Sequence, residues 1–451
     1  MTVVAYILGV LAIVVGVGLS IALHEVGHLV PAKRFGVKVT QYMVGFGPTV
    51  WSRRRGETEY GLKAVPLGGY IRMIGMFPPK PGADPMLLRA SSTGRFSQLM
   101  DQARQDSMEE VTPGDEHRVF YQLSVPKKVT VMLGGPIMNL VIATVLITGS
   151  LTLYGVPVAS NGAQVVAVSE CVVPAAQAAA KTACAASDPK TPAYLAGLRP
   201  DDVITSINGT TVTPTTSLSQ LIQPRSAQAT TLTWLRGGTP MQATVTPVTN
   251  TVTRVDAQGQ IVRDAAGTMQ TVQAGFLGVT SQVQTVQERQ SVTAAPGAVW
   301  GAFTQTAGVV LRIPQKIVGV AQAAFGGGQR DPNGPISVVG VGRIGGEIAA
   351  SSIFPDGTAG KVNMLLLSLA SLNMALFVFN LIPLLPLDGG HVAGALWEGL
   401  KRRGAKALGK ADPGHVDVAK ALPVAYTMAI ALVSMSALLI YADLVNPVKL
   451  F

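Results

Sequence analysis

Four long apolar stretches, at about residues 3–30, 129–156, 362–387 and 422–444, break the chain into alternating apolar and polar blocks. Each reaches the roughly 20 residues that a helix needs to cross a bilayer, which predicts four transmembrane helices. No Lys or Arg precedes the first and no small-x-small cleavage site follows it, so a span is expected there rather than a signal peptide. Between the spans the period changes. Residues 44–51 and 60–76 are Gly-rich and strand-like on either side of "RRRGE", predicting a β-hairpin. Residues 77–118, with "PPKPGADP" and "RQDSMEE", read as a solvated excursion. "TPAYLAGLRPDDVITSINGTTV", residues 191–212, combines a short helix, a turn and a strand ending at Asn208-Gly209. "SLSQLIQ" then reads as helical, and "TTLTWLRGGTPMQATV" as two strands about Gly237 and Gly238. Residues 251–292 continue in the β pattern. From 293 to 325, Val299, Trp300, Phe303, Val310, Ile313 and Ile317 take helical spacing. Gln305, Arg312, Gln315 and Lys316 argue against a fifth span, so an amphipathic segment at the membrane surface is expected. "GPISVVGVGRIGG", which follows it, has no evident role.

Only 13% of the 451 residues are charged, about half the share of a soluble domain, which supports the membrane reading. The net charge of +10 could suit nucleic acid, but position decides. The basic residues gather beside the spans, and no basic stripe with interleaved aromatics is present, so a lipid bilayer and not nucleic acid is the expected partner. Lys33, Arg34, Lys38 and Arg53 to Arg55 follow the first span, Lys127 and Lys128 open the second, and Lys401, Arg402, Arg403, Lys406 and Lys410 lie between the third and fourth. The positive-inside rule places these segments in the cytoplasm. Residues 157 to about 360 and both termini then lie outside, on a multi-pass protein of the inner (cytoplasmic) cell membrane.

Chemistry enters at "LHEVGHLV", residues 23–30, which sets three ionisable groups inside an apolar span. Such groups are costly there and mark functional sites. His24 and His28 are four residues apart, so their rings share one helix face and can bind one zinc ion at about 2.0–2.1 Å. Glu25 is rotated off that line and free to act as a general base. A catalytic zinc wants a third protein ligand and an open position. The third span finishes "FNLIPLLPLDGGH", where Asp388 is the only acidic group between Lys361 and Glu398. Pro383 and Pro386 break helical hydrogen bonding, which a membrane permits only around a protein interior or cavity. By itself Asp388 could equally be a helix cap at the surface; paired with HEVGH it reads as the third ligand, with His391 in a supporting role.

HEVGH together with N-x-x-P-x-x-P-L-D-G-G-H resembles the site-2 protease family, most closely its bacterial RseP-type intramembrane zinc metalloproteases. The resemblance implies His24, His28 and Asp388 as ligands of one zinc per chain and Glu25 as catalytic base. It also implies Asn380 as a group near the substrate backbone. "GGPIMN", residues 134–139, resembles the family's Gly-Pro-x-x-Asn element, which adds Asn139 as a second substrate-binding polar group. "VGFGPTVW" and "VPLGGYIRMIGM" resemble the family's membrane-associated β-hairpin, whose strands would add substrate as a further strand or only pack the spans. Residues 191–245 are similar to circularly permuted PDZ domains, apart from Asp201, where a second glycine is usual; such a domain binds peptides or gates substrates by size. The expected fold is thus a polytopic α-helical membrane protein of four transmembrane helices with a membrane-associated β-hairpin and an extracytoplasmic PDZ-like α+β domain. In order, 1–31 is the first span, 32–127 the cytoplasmic insert, 128–156 the second span and 157–292 the PDZ-like domain. Residues 293–360 form the surface segment, 361–396 the third span, 397–421 a cytoplasmic loop, and 422–451 the last span and tail. The expected activity is intramembrane proteolysis of single-span proteins, with anti-sigma factors and signal-peptide remnants as the substrates the resemblance implies. The competing readings are a membrane scaffold with a peptide-binding domain and structural zinc, and a zinc transporter. Structural zinc usually has four Cys or His ligands, and only three are evident; a transporter would need acidic or histidine residues in several spans, and the second has none and the fourth only Asp443 at its end.

The only two cysteines, Cys171 and Cys184, fall in the segment the charges place outside. An exterior compartment permits disulfides, so a Cys171–Cys184 bond is expected, tying down "VVPAAQAAAKTA".

Overall fold

The computed structural model describes residues 2–79, 102, 107, 111–173, 184–185, 187–254, 256, 261–264, 268–328, 330–331, 334–351 and 357–448. Most of the excursion expected at 77–118, and of the stretch between the cysteines, lies outside these. Two compact units are present, one of residues 1–154 and 290–451, the other of 155–289.

The first unit opens with helix α1 (Thr2–Arg34), which carries HEVGH near its C-terminal end. A hairpin of β1 (Val39–Arg55) and β2 (Thr58–Met73) follows. Both strands are longer than the apolar pattern shows, because the turn contracts to Gly56-Glu57 and the arginines join the ladder. The hairpin also folds over on itself. Met43 pairs with both Gly61 and Tyr70, and Val44 with both Leu62 and Gly69. The start of β1 therefore lies between the two halves of β2, leaving Gly69–Met73 along a sheet edge. Leu29, Ala32, Val39, Met73, Phe120 and Val131 bury one core against it. Helix α2 (Val125–Gly149) continues through the wider turn Ser150–Tyr154.

The second unit is built on a sheet. Strand β3 (Val156–Val168) leads to the one-turn helix α3 (Pro192–Leu195), β4 (Val203–Ile207) and β5 (Thr210–Thr211). Helix α4 (Leu218–Ile222) starts in a Ser217–Gln220 capping box and precedes β6 (Thr230–Arg236), β7 (Thr239–Val245), β8 (Val248–Thr253), β9 (Thr271–Phe276) and β10 (Val279–Glu288). The order is β10-β3-β4-β6-β7, with β5 on β4, while β8 and β9 form a separate pair. Ile204, Ile207 and Leu232 are fully enclosed, each worth about 1.5–3 kcal/mol of burial. Asp201 adopts the left-handed conformation at φ 70°, which an aspartate tolerates better than most residues. Cys171 and Cys184 are joined as a disulfide, their Cα atoms 5.9 Å apart.

The first unit resumes with α5 (Ala295–Leu311), α6 (Ile313–Gly326) and α7 (Val338–Ala350). Helix α7 contains the glycine-rich stretch whose role the pattern left open. Its glycines face neighbours at very close range: a Cβ on Gly345 would stand 2.4 Å from Ile13 Cγ1 and 3.0 Å from the Gly9 carbonyl. They let α7 lie directly on α1, as small residues do between membrane helices. Helix α8 (Thr358–Asn380) is followed by a proline turn and then α9 (Asp388–Ala407) and α10 (Leu422–Val445). The third apolar stretch therefore ends as helix at Asn380, not at 387. Pro383 and Pro386 bring no N–H to a helix, and residues before proline disfavour helical ψ. Among the described residues, four helices are long and apolar enough to cross a membrane: Val3–Arg34, Val125–Tyr154, Thr358–Asn380 and Val418–Val445.

Candidate metal centre

The site forms where α1, α2 and the start of α9 meet. Contact between α1 and α2 is set by glycine. A Cβ on Gly27 would stand 2.2 Å from the Gly134 carbonyl oxygen, and one on Gly134 only 1.9 Å from that of Gly27, so the two backbones touch where no side chain fits. That closeness delivers α2's polar groups to the histidines. His28 Nδ1–H donates to the Val131 carbonyl at 2.8 Å, which leaves Nε2 with its lone pair. The Asn139 amide stands 3.0 Å from His24 Nδ1. A ligating His24 Nε2 puts the proton on Nδ1, and the amide must then present Oδ1 to accept it. That turn exchanges the two amide atoms: Nδ2, which faces the ring in the structure, takes the buried, unpartnered place of Oδ1.

Asp388 arrives from the other side as the first residue of α9. Gly389 and Gly390 let that turn tuck beneath the proline segment, since Cβ atoms there would meet Ile382 O at 2.3 Å and Leu385 N at 2.5 Å. Asp388 Oδ2 is 3.4 Å from both His24 Nε2 and His28 Nε2, and the two Nε2 atoms are 3.2 Å apart. Tetrahedral zinc with bonds of about 2.0–2.1 Å separates neighbouring ligand atoms by about 3.3 Å, so this triangle fits the ion. Room for it is left by Gly135, whose Cβ would fall 2.2 Å from His28 Nε2 and 2.6 Å from His24 Nε2. Among the described residues this is the one group of three His, Cys, Asp or Glu side chains able to hold a metal.

Glu25 is 7% exposed. It lies beside the cluster but outside the triangle, with the Ile71 N–H bonded to its carboxylate. A Cβ on Gly69 would press to 2.9 Å from Glu25 Cγ. The edge of β2 therefore forms a wall of the site, and Tyr42 fixes the hairpin to α1 by donating to the Ala22 carbonyl at 2.7 Å. Asn380, at the end of α8, is half-buried and has no hydrogen-bond partner among the described residues, while His391 stays outside the triangle. A buried ion pair, Lys128 Nζ to Glu398 Oε2 at 2.9 Å, ties α2 to α9, and Glu398 also accepts from the Val416 N–H. Buried charges are tolerated when so paired.

The pattern H-E-x-x-H and the isolated Asp388 are legible in sequence. Val131 is not, since it acts through a backbone carbonyl, and Gly135 of "GGPIMN" shows its part only once the histidines lie against it. Asn139, expected near substrate, stands against the His24 ring.

Residues 12–411 match the sequence pattern of Peptidase family M50. The chain belongs to this family, the site-2 proteases. It is 34% identical over 452 residues to zinc metalloprotease Rip1 of Mycobacterium tuberculosis, covering 99% of each chain. The Mycolicibacterium smegmatis protein of that name is 34% identical, over 98% of this chain and 99% of the relative. A putative zinc metalloprotease of Mesorhizobium japonicum is 26% identical over 82% of this chain and 83% of its own.

Proposed function

We propose that the protein is a zinc-dependent endopeptidase that cleaves single-span membrane proteins within the membrane. The observation that carries this is the His24–His28–Asp388 triangle beside Glu25, built on helices apolar enough to span a bilayer. Zinc held there supplies Lewis acidity toward the scissile carbonyl and the attacking water. Glu25 takes the water's proton on its carboxylate and returns it to the leaving amine nitrogen. Val131 and Asn139 hold the two imidazoles in the tautomer that leaves Nε2 free. Beside the base, the Gly69–Met73 edge offers backbone groups to an unwound peptide in strand-addition fashion, and Asn380 is free to bond its backbone.

The finer reading follows the charges. The hairpin side and the 397–421 segment are cytoplasmic, and the termini and the 155–289 unit lie outside. The Cys171–Cys184 bond supports an oxidising exterior for that unit. Its strand order and the helix before β4 support a PDZ-like domain that presents or gates substrates. Anti-sigma-factor-like proteins and signal-peptide remnants are the substrates that the family resemblance implies. The test is cleavage of a single-span reporter by purified protein, wild type against Glu25→Gln, with zinc content measured in both. The variant should keep its zinc and lose at least about 10²-fold in rate. Near-normal turnover would remove Glu25 from the reaction.

A further inference from the structure

Helix α9 has a second face that the metal centre does not use. Its inward side holds Asp388 and the buried Glu398. Its outward side leaves Leu396, Trp397 and Leu400 each more than half exposed. At about 100° per residue these three fall within an arc of about 100°, bordered by Arg403 on one side and Lys401 on the other. Lys401 Nζ stands 5.8 Å from the Trp397 ring centroid, a cation–π pairing. Helix α9 is not among the helices apolar enough to cross a membrane. An apolar arc rimmed by cations is instead the pattern of a helix seated at the membrane interface.

The same helix walls a cleft. Gly390, Ala393, Gly394 and Trp397 recur at i, i+3, i+4 and i+7, and across from them lie Lys420, in the turn that precedes α10, and Val424 in the first turn of α10. The cleft encloses about 420 Å³. The small residues make it a slot, with Trp397 and the exposed Lys420 on its lining. Asp417 also lines it but is engaged within the protein. Of the exposed cations, Lys420 lines the apolar slot, Lys401 stands against the ring of Trp397 that lines it, and Arg403 lies six residues beyond Trp397 along α9.

We infer that this face and cleft form a docking site for an anionic phospholipid. One acyl chain occupies the slot between α9 and α10, and the phosphate is met by Lys401, Arg403 and Lys420. A lipid seated there braces the helix whose first residue is the third metal ligand.

The chain's four tryptophans include Trp397, which serves as the reporter. Full-length protein is placed in nanodiscs of mixed phosphatidylcholine and phosphatidylglycerol in which only one lipid carries bromine, a fluorescence quencher. The Trp397 share of emission is taken as the difference from Trp397→Phe. Phosphatidylglycerol should be preferred at this position by at least about fivefold, the worth of a single interfacial cation. The preference should fall to parity in about 1 M salt, which screens exposed charges, and in the Lys401→Gln/Arg403→Gln/Lys420→Gln variant. Should that variant fail to fold, the salt series on the unaltered protein decides. Equal quenching by both lipids at low salt overturns the inference and leaves the cleft to bulk lipid or a protein helix. A preference that survives both salt and the triple change overturns the assigned cations.

Discussion

In the proposed metal centre each histidine gives one nitrogen to the ion and one to the protein, and the second decides how well the first performs. His28 Nδ1 is satisfied by a backbone carbonyl that no substitution removes; His24 depends on the side chain of Asn139. Removing an outer partner of a metal-bound histidine typically costs about 10–100-fold in affinity or activity. Asn139→Ala should weaken zinc retention by that factor in competition with a chelator, and Asn139→Asp, which keeps an acceptor oxygen, should recover most of it. Retention unchanged in Asn139→Ala would make the asparagine a substrate group after all. The three residues that the fold brings together are legible because the signal is local: two histidines one turn apart, and one carboxylate in an otherwise uncharged stretch. The partner of His24 was not, since Asn139 lies 115 residues away and meets it only because two helices touch.

That contact belongs to the element scale, where glycine sets how closely the helices approach. Gly135→Ala puts a methyl group between the two imidazoles, 2.2 Å from His28 Nε2 and 2.6 Å from His24 Nε2, and should abolish zinc binding and cleavage while the helices still insert. Gly149→Ala, in the same helix but with nothing within 4 Å of the added carbon, should leave zinc content unchanged; equal loss in both would point to helix insertion and not to the site. Sequence pattern locates glycine-rich stretches but not what packs on them, and the role of the stretch in α7 lies in its contact with α1. The sheet unit has its own electrostatic pin. The Asp202 carboxylate takes two bonds from Arg236 and one from the Arg199 N–H. Burial pushes its pKa up, but these donors outweigh it and hold the group below the usual carboxylate range. A lowered pKa means the stabilisation is complete above about pH 3.9, the unfolded value, and drains away as pH falls through the folded one. Asp202→Ala should therefore cost about 1.5–3 kcal/mol at neutral pH, as lost bonds to a charged group do. The gap between variant and wild type should shrink in acid, as read from protease resistance of the full chain. A gap that stays constant down to about pH 2 would show that the carboxylate's charge contributes nothing.

At the scale of the whole molecule, the order of spans and polar blocks was readable because composition and charge are written along the chain. Which unit each block folds into was not, because helices α5, α6 and α7 return to pack with the spanning helices after the sheet unit is complete. The two cysteines test the orientation that the charges imply. Both lie in the sheet unit, and the spans and the hairpin contain none. If that unit faces an oxidising exterior, Cys171 and Cys184 persist as the disulfide seen in the structure; in the cytosol the same pair would be kept reduced. The bond spans 13 residues, and closing a loop of that size is worth about 3 kcal/mol in the chain-entropy picture. Intact protein, denatured and treated with a thiol alkylating reagent, should take up no label until it has first been reduced. Reduction of the native protein should loosen the sheet unit to protease while the zinc stays in place, because neither cysteine belongs to the metal cluster. Full labelling without reductant would dissolve the disulfide and, with it, the strongest support for placing this unit outside the cell.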